Sequence, residues 1–323
     1  MKVNNFPRKG EVILAPLAGY THSAFRRICR RLGADRTYSE LVHAYGLTLR
    51  GFEKNKELIY FTKEEIPFHL QLYGRNPTEI SQGAAYLLEN FKDITAIDIN
   101  FGCSVKKVLK AKAGSYILKD LNLFYEIIKE TNEVAKSFGK FLSIKIRLGF
   151  DKDILEKLVE TALKAGIKVI AVHPRLAIQG FGGKANWERL KIIKDIFKED
   201  IFLIGSGDII SYDQIDNHFK SYHVDGIMIG RAAIKHPWIF KEYKIKQAIK
   251  VSLKEKLELI KLELDMMLEY MSPQKAFRVI KSQVSQILKG EKNKKAIEQP
   301  LLKTKTYEEF IDLLNHLTNQ PSK

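Results

Sequence analysis

The stretch LSIKIRLGFDKDILEKLVETALKAGIKVIAVHPR, residues 142–175, decides the fold. It opens on a strand-like run at 142–147 and continues as a helix-period segment over 153–165. It closes on a continuous apolar run at 169–173. Strand, helix, strand in that order is the unit of a parallel sheet. The same alternation extends outward in both directions. It predicts strands at 12–17, 36–41, 68–73, 96–100, 202–205 and 226–229 as well, with further helices at 77–91, 122–137 and 187–197. Eight such repeats suit an α/β chain closed into a (β/α)8 TIM barrel. A doubly wound open sheet is the alternative. No Gly-x-Gly-x-x-Gly follows the first strand, which counts against a dinucleotide-binding Rossmann unit.

Beyond about residue 240 the strand signals stop. Helices are predicted at 252–270 and 272–288. Gly290 and the charged run 291–295 separate them from a last helix near 307–317. The expected organisation is a barrel over 1–242 followed by a small all-helical C-terminal domain over 243–323, joined by a short linker.

Composition bounds the class. The 323 residues are 45% apolar, which excludes a disordered chain. Two cysteines, Cys29 and Cys103, make a disulfide scaffold unexpected and suit a reducing compartment. No apolar run approaches ~20 residues, so no membrane span is expected, and residues 1–10 lack a signal-peptide core. A cytoplasmic protein is the expectation. Basic residues number 54 against 38 acidic ones, a net charge of +16. That balance is compatible with a polyanionic partner, because Lys and Arg displace counterions from phosphates.

In such barrels the site lies at the C-terminal ends of the strands. The predicted ends carry Pro16-Leu17-Ala18-Gly19, Glu40, Gln71, Asn100, Lys145-Ile146-Arg147, His173-Pro174-Arg175, Gly205-Ser206-Gly207-Asp208 and Gly230-Arg231. Two glycine clusters after the last two strands, with Arg231, fit a phosphate; ordinary tight turns are the plainer reading. Lys145 interrupts an apolar strand, and an inward lysine is expensive unless it meets an anion or a reactive group. A flavin meets that need, since its reduced form carries negative charge near N1; a Schiff-base lysine is the rival. Cys103, flanked by Gly102 and by Lys106 and Lys107, is placed to act on a carbon next to a carbonyl. Cys29 sits in an amphipathic helix among Arg26, Arg27, Arg30 and Arg31. It reads as a packed thiol, and the arginines as a solvated face.

These residues resemble the tRNA-dihydrouridine synthases, flavoproteins that reduce uridines in tRNA. The resemblance runs through Leu14-Ala15-Pro16-Leu17-Ala18-Gly19-Tyr20-Thr21, Gln71-Leu72-Tyr73-Gly74, Asp98-Ile99-Asn100-Phe101-Gly102-Cys103 and Ala113-Gly114-Ser115. It continues in Lys145-Ile146-Arg147-Leu148-Gly149, His173-Pro174-Arg175, Gly207-Asp208-Ile209 and Asp225-Gly226-Ile227-Met228-Ile229-Gly230-Arg231-Ala232. Leu288-Lys289-Gly290 in the helical end also fits, and Lys106-Lys107 is most like the general bacterial branch. The chain departs from the family at Phe101 and Ser104, where proline is common, and at Ser206, where asparagine is usual. It also departs at residues 278–283, where a basic, His-containing stretch is often found.

The resemblance implies FMN across the strand ends. Pro16, Leu17 and Ala18 would line the ring, and Gln71 and Lys145 would bond its polar edge with Asn100 and His173 close by. Ser206, Gly207, Asp208, Gly230 and Arg231 would hold the phosphate. It implies NADPH (or NADH) as reductant, hydride to C6 of an extruded uridine, and a proton to C5 from Cys103. The implied partner is tRNA, with no metal, no membrane and no obligate protein partner. From residue 241 onward there are 17 basic against 11 acidic residues, a net +6. Arg278 and Lys281, near each other on one face of the 272–288 helix, and Lys289 just past its end are the candidate RNA contacts. An FMN-dependent small-molecule pyrimidine oxidoreductase, like dihydroorotate or dihydropyrimidine dehydrogenase, is the alternative function. A silent RNA-binding barrel is a further one.

Overall fold

The computed structural model describes residues 6–50 and 55–319. Nine strands form one all-parallel sheet: β1 (Glu11–Leu14), β2 (Arg36–Tyr38), β3 (Val42–His43), β4 (Phe68–Tyr73), β5 (Ala96–Asn100), β6 (Phe141–Arg147), β7 (Val169–His173), β8 (Phe202–Ser206) and β9 (Gly226–Ile229). β2 pairs with β4 and β1 with β9, so eight strands close into a (β/α)8 barrel. The two-residue β3 adds to the upper end of β4, pairing Val42 with Leu72 and His43 with Tyr73.

Four strands have the predicted bounds and two are cut short. β1 stops at Leu14 rather than 17 because Pro16 has no N–H for the ladder. Beyond it, the Leu17 N–H turns to Thr21 Oγ1 at 2.9 Å. β2 stops at Tyr38 rather than 41. The Ser39 hydroxyl, not a carbonyl of β2, takes the N–H of Gln71 at 2.8 Å. Both early ends leave loops, instead of strand, at the barrel mouth.

Most of the apolar core lies between sheet and helices, with Leu70, Ile97, Ile99, Ile144, Ile146 and Val172 facing outward into it. The barrel interior holds a smaller apolar layer of Ile13, Tyr38, Val169, Phe202, Ile204 and Met228. The interior also holds buried polar groups, among them Arg36, His69, Asp98 and Ser143.

The helical region packs helices Leu253–Met267, Pro273–Ile287 and Tyr307–Asn319 around a second apolar cluster that includes Leu257, Ile260, Leu264, Ile280, Val284 and Phe310. A helix over Lys294–Lys303 was not expected from the charged run 291–295. It buries little beyond Leu301, so its sequence carries almost no apolar period. The second cluster also takes in Ala24 and Ile28 from the barrel helix Ser23–Arg31. Among the described residues no helix is long and apolar enough to cross a membrane, and no group of three or more His, Cys, Asp or Glu could hold a metal ion.

The arginines of Ser23–Arg31 are not a solvated face. Arg26 is fully buried and pairs with Glu65 at 2.5 Å, while its two Nη groups donate to Thr21 O and Tyr60 O. Arg27 bridges Glu64 and Glu269, and only Arg31 is exposed. The helix is clamped between the 60–66 segment and the helical region, so its polar face meets protein instead of water. Cys29 lies in the core as expected, and burial pushes its thiol well up. Removing one partner of a buried pair leaves an uncompensated charge, so Arg26→Met should lower unfolding stability by about 3–5 kcal/mol. A urea midpoint equal to that of the parent chain would show that Glu65 is satisfied without Arg26.

Candidate active site

Parallel strands bring their C-terminal ends to one rim, and here the rim opens on a cavity of about 960 Å³. That lies at the upper end of the ~300–1,000 Å³ usual for ligand pockets. Every residue named above for cofactor or catalysis borders it: Pro16, Leu17, Ala18, Gln71, Asn100, Cys103, Lys145, His173, Ser206, Gly207, Asp208, Gly230 and Arg231. Another hollow, about 740 Å³, lies between residues 56–63 and 268–271 and touches no strand end.

One wall is a directed chain of hydrogen bonds. Asp98 and Asn100 sit two apart on β5 and so share its inner face. Gln71 Nε2 donates to Asp98 Oδ2 at 2.7 Å, and Asn100 Nδ2 donates to Gln71 Oε1 at 2.8 Å. Asn100 Oδ1 accepts the N–H of Cys103 at 2.8 Å and of Gly102 at 3.1 Å. On the other side Ser143 Oγ donates to Asp98 Oδ1 at 2.6 Å. His69 Nδ1 lies 3.2 Å from Ser143 Oγ, and Arg36 Nη1 lies 3.0 Å from His69 Nε2. A guanidinium only donates, so His69 carries its proton on Nδ1 and hands it to Ser143. Burial and Arg36 hold His69 well below its usual value. Burial pushes Asp98 up to about 6, against the pull of Ser143, Gln71 and Lys145.

Lys145 stands beside this chain. Its ammonium makes no hydrogen bond or ion pair among the described residues. Burial and then Arg147 push it down to about 8, with Asp98 and Cys103 working the other way. Arg147 ties two loops together, donating to Gly102 O at 2.8 Å, Gly180 O at 2.8 Å and Leu176 O at 3.1 Å. The Cys103 loop is thereby held from three directions: by Asn100, by Arg147, and by Ser115, whose hydroxyl donates to Cys103 O at 2.8 Å. Phe101, where proline is common in the resembled family, is buried and packs edge-on against Phe124 at 4.7 Å.

The opposite wall gathers unspent main-chain N–H groups and arginines. Gly207 has φ +129°, and a Cβ there would meet His173 Cδ2 at 2.9 Å, so only glycine lets the backbone pass. Among the described residues the N–H groups of Gly207, Asp208, Gly230 and Arg231 donate to no protein acceptor. The Asp208 carboxylate is itself engaged by Arg175 at 2.6 Å, Arg231 at 3.2 Å and the Ala185 N–H at 2.8 Å. Burial alone would raise its carboxyl, yet these donors hold it below the ordinary range. Its side chain is therefore spent on orienting cations, and only its main-chain N–H is left without a protein partner. His173 is pushed down to about 2 by burial and by Lys145, Arg147, Arg175 and Arg231, so it is neutral, with Nε2 3.0 Å from Arg175 Nη1.

Asp98 and Ser143 escaped assignment from sequence, and Arg147 and Arg175 stood among the strand-end residues without a place in the cofactor or catalytic set. Their signal was a charged or hydroxyl residue at an inward position of a core strand or just past its end. The three candidate RNA contacts do not share one surface. Lys281 Nζ turns to Thr304 O at 2.6 Å and lies over the Phe277 ring, which locks helices together. Arg278 is exposed, and only Lys289 reaches the cavity, beside Gln286. Gln283, in the departing stretch, donates to Gly19 O at 3.1 Å across the seam with the barrel.

Asn100→Ala should leave two buried N–H groups of the cysteine loop without an acceptor, at about 1–3 kcal/mol each. In the cofactor-free protein this should appear as faster alkylation of Cys103 by iodoacetamide. An unaltered rate would mean that Arg147 and Ser115 hold the loop alone.

The sequence model of the family described as Dihydrouridine synthase (Dus) matches residues 13–321. A probable tRNA-dihydrouridine synthase of Aquifex aeolicus is 50% identical over 304 residues, covering 94% of this chain and 95% of that protein. tRNA-dihydrouridine synthase B of Pasteurella multocida is 31% identical over 297 residues, covering 90% and 87%. Among solved structures, a variant of NCR from Zymomonas mobilis superposes with TM-score 0.54 at 14% identity, covering 79% of this chain and 92% of that one. Histamine dehydrogenase from Rhizobium sp. 4-9 gives 0.56 at 11% identity, covering 99% and 64%. At these identities the structural likenesses bear on the fold alone, whereas the family match in sequence spans both barrel and helical region. The chain belongs to the dihydrouridine synthase family.

Proposed function

We propose that this protein reduces uridines in tRNA to 5,6-dihydrouridine, with FMN as cofactor and NADPH or NADH as reductant. Residues 1–242 would form the catalytic barrel and 243–323 the RNA-binding part. The observation that carries the reading is the convergence of Cys103 with the Gln71–Asn100–Lys145 edge on one cavity, in a chain of this family.

The cavity fits FMN on its own chemistry. Gln71 and Asn100 each keep one amide N–H beyond those already spent, and Lys145 adds an unpaired ammonium. That is a donor-rich edge for the carbonyls of a flavin pyrimidine ring. Pro16, Leu17 and Ala18 offer an apolar surface for its face. The unspent N–H groups at Gly207, Asp208, Gly230 and Arg231, with the Arg231 fork, suit a phosphate. When bound and reduced, the flavin supplies the hydride that adds at C6 of the uracil. Conjugate reduction also needs a proton at C5, and Cys103 supplies it. Asn100 and Arg147 hold that thiol at the cavity edge. The base must leave the stack to reach a barrel mouth, and a folded RNA is recognised by shape and phosphates. The net +6 beyond residue 240 suits this partner and has no use for a free pyrimidine.

Two measurements test the assignment. Cys103→Ala should keep its FMN and its reduction by the nicotinamide cofactor, while dihydrouridine formation on tRNA falls by about 10²-fold or more. Cys29→Ala should match the parent chain. Turnover by Cys103→Ala within about twofold of the parent would place the proton elsewhere.

The second measurement concerns pH. With the Lys145 ammonium pushed down to about 8, it is charged at neutral pH and discharges before ordinary lysines do. A phosphate monoester stays dianionic over the same range. FMN affinity of the cofactor-free protein should therefore fall as pH rises through about 8, and Lys145→Met should lack that fall. The same pH profile in parent and Lys145→Met would remove Lys145 from the cofactor edge.

A further inference from the structure

The mouth of the cavity crosses the seam between barrel and helical region, and two lysines meet there. Lys235 ends the short helix Arg231–Lys235 and Lys289 follows the helix Pro273–Ile287. Both border the cavity, with His236 and Gln286 beside them. Among the described residues neither ammonium has a carboxylate partner. The acids nearby are committed elsewhere. Glu242 pairs with His236 at 2.9 Å and accepts the Ile249 N–H at 2.8 Å. Glu291 pairs with Lys256 at 2.6 Å. Lys256 also donates to Lys289 O at 3.3 Å, which fixes the main chain from which Lys289 projects.

Burial, then the charge and hydrogen-bonding reach of Lys289, lower the Lys235 ammonium, and Arg231 adds to the effect. Surface lysines have the rotamer freedom to swing apart, so a like-charged pair across a packed seam does nothing for folding. An anion between the two reverses the sign of the interaction. Lysine recognises phosphate as a point charge and needs no planar partner.

We propose that Lys235 and Lys289 form a phosphate subsite at the cavity mouth, one lysine from each side of the seam, that takes a backbone phosphodiester of the RNA beside the extruded nucleotide. This rests on the function proposed above. Because Lys289 comes from the helical region, the subsite exists only while that region is docked on the barrel. It thereby places the RNA strand with respect to Cys103.

The test uses holoenzyme and an unmodified tRNA transcript, with affinity measured at several salt concentrations. Lys235→Ala/Lys289→Ala should bind about tenfold more weakly, with a log–log salt slope shallower by about one phosphate's share. FMN content and flavin reduction by the nicotinamide cofactor should equal the parent's. Melting temperature should not fall, because a repulsion has been removed. Lys289→Glu should weaken RNA binding further and raise the melting temperature, by giving Lys235 a partner. If the alanine variant folds poorly, Lys235→Met/Lys289→Met keeps the aliphatic stems and carries the same expectation. Affinity and slope equal to the parent's would overturn the subsite. So would loss of FMN, which gives the pair to the cofactor's phosphate, or slowed flavin reduction with RNA binding intact, which gives it to the dinucleotide. A parent holoenzyme that binds no tRNA overturns the proposed function and the subsite together. A parent that binds tRNA beside an unaffected double variant overturns the subsite alone.

Discussion

Asp98 accepts from Ser143 on one side and from Gln71 on the other, and an ionised carboxylate can only accept. That constraint propagates. With its Nε2 spent on Asp98, Gln71 must turn Oε1 to Asn100. Asn100 must then turn Nδ2 to Gln71 and Oδ1 to the N–H groups of Gly102 and Cys103. At the far end Arg36, held by Glu11 at 2.9 Å, can only donate, which fixes the His69 tautomer and the sense of Ser143. Each side chain of this hydrogen-bonded chain, from Arg36 to Asn100, thus has one direction open to it. The side chains that face the cavity are presented as donors because a carboxylate sits beneath them. Two amides that could each be flipped in isolation are not free to flip here.

The fold was legible because the barrel repeats one unit, and each apolar strand is bounded by helix-period segments. What could not be read was where a strand stops when a side chain replaces the ladder. Ser39 Oγ does this for Gln71, and Thr21 Oγ1 for Leu17; both look like ordinary loop hydroxyls in sequence. The cavity residues were legible because polar groups at strand ends have little packing value. Their partners were not, since a contact such as Arg175 to Asp208 joins positions 33 apart. The arginines of Ser23–Arg31 were misread for a related reason. An amphipathic helix shows which face is polar, but not whether water or another carboxylate covers it. Glu65 and Glu269 cover it here.

The helical region does more than sit beside the barrel. Gln283 holds the Gly19 carbonyl, and Glu40 takes the Gly19 N–H at 2.5 Å, so one residue in the loop lining the cavity is gripped from both sides. Gly19 has φ +80°, a conformation that glycine alone adopts without strain. Close by, His22 Nε2 lies 3.3 Å from the buried Glu263 carboxylate, and the Tyr270 hydroxyl accepts the Ala24 N–H at 3.2 Å. Opening this seam would break all of these contacts at once. The seam fixes the helix Pro273–Ile287, and with it Gln286 and Lys289, as part of the cavity wall.

The cations gathered at the rim also decide which side chain can give up a proton. Two unit charges 4 Å apart interact by about 4 kcal/mol at an effective dielectric of ~20, so Lys145, Arg147, Arg175 and Arg231 together act strongly on any neighbour that would become positive. His173 is the residue type most often used for proton transfer near neutrality, and this field removes it by holding it down to about 2. Arginine does not release a proton at all. Lys145, already pushed down to about 8, is more useful as a charge toward an anionic edge than as an acid, because discharging it would forfeit that attraction. A thiol does not become positive in giving up its proton, and Cys103 lies within electrostatic reach of Lys145 and Arg147. The field that excludes His173 as the acid therefore leaves the proposed role to Cys103, which borders the same cavity.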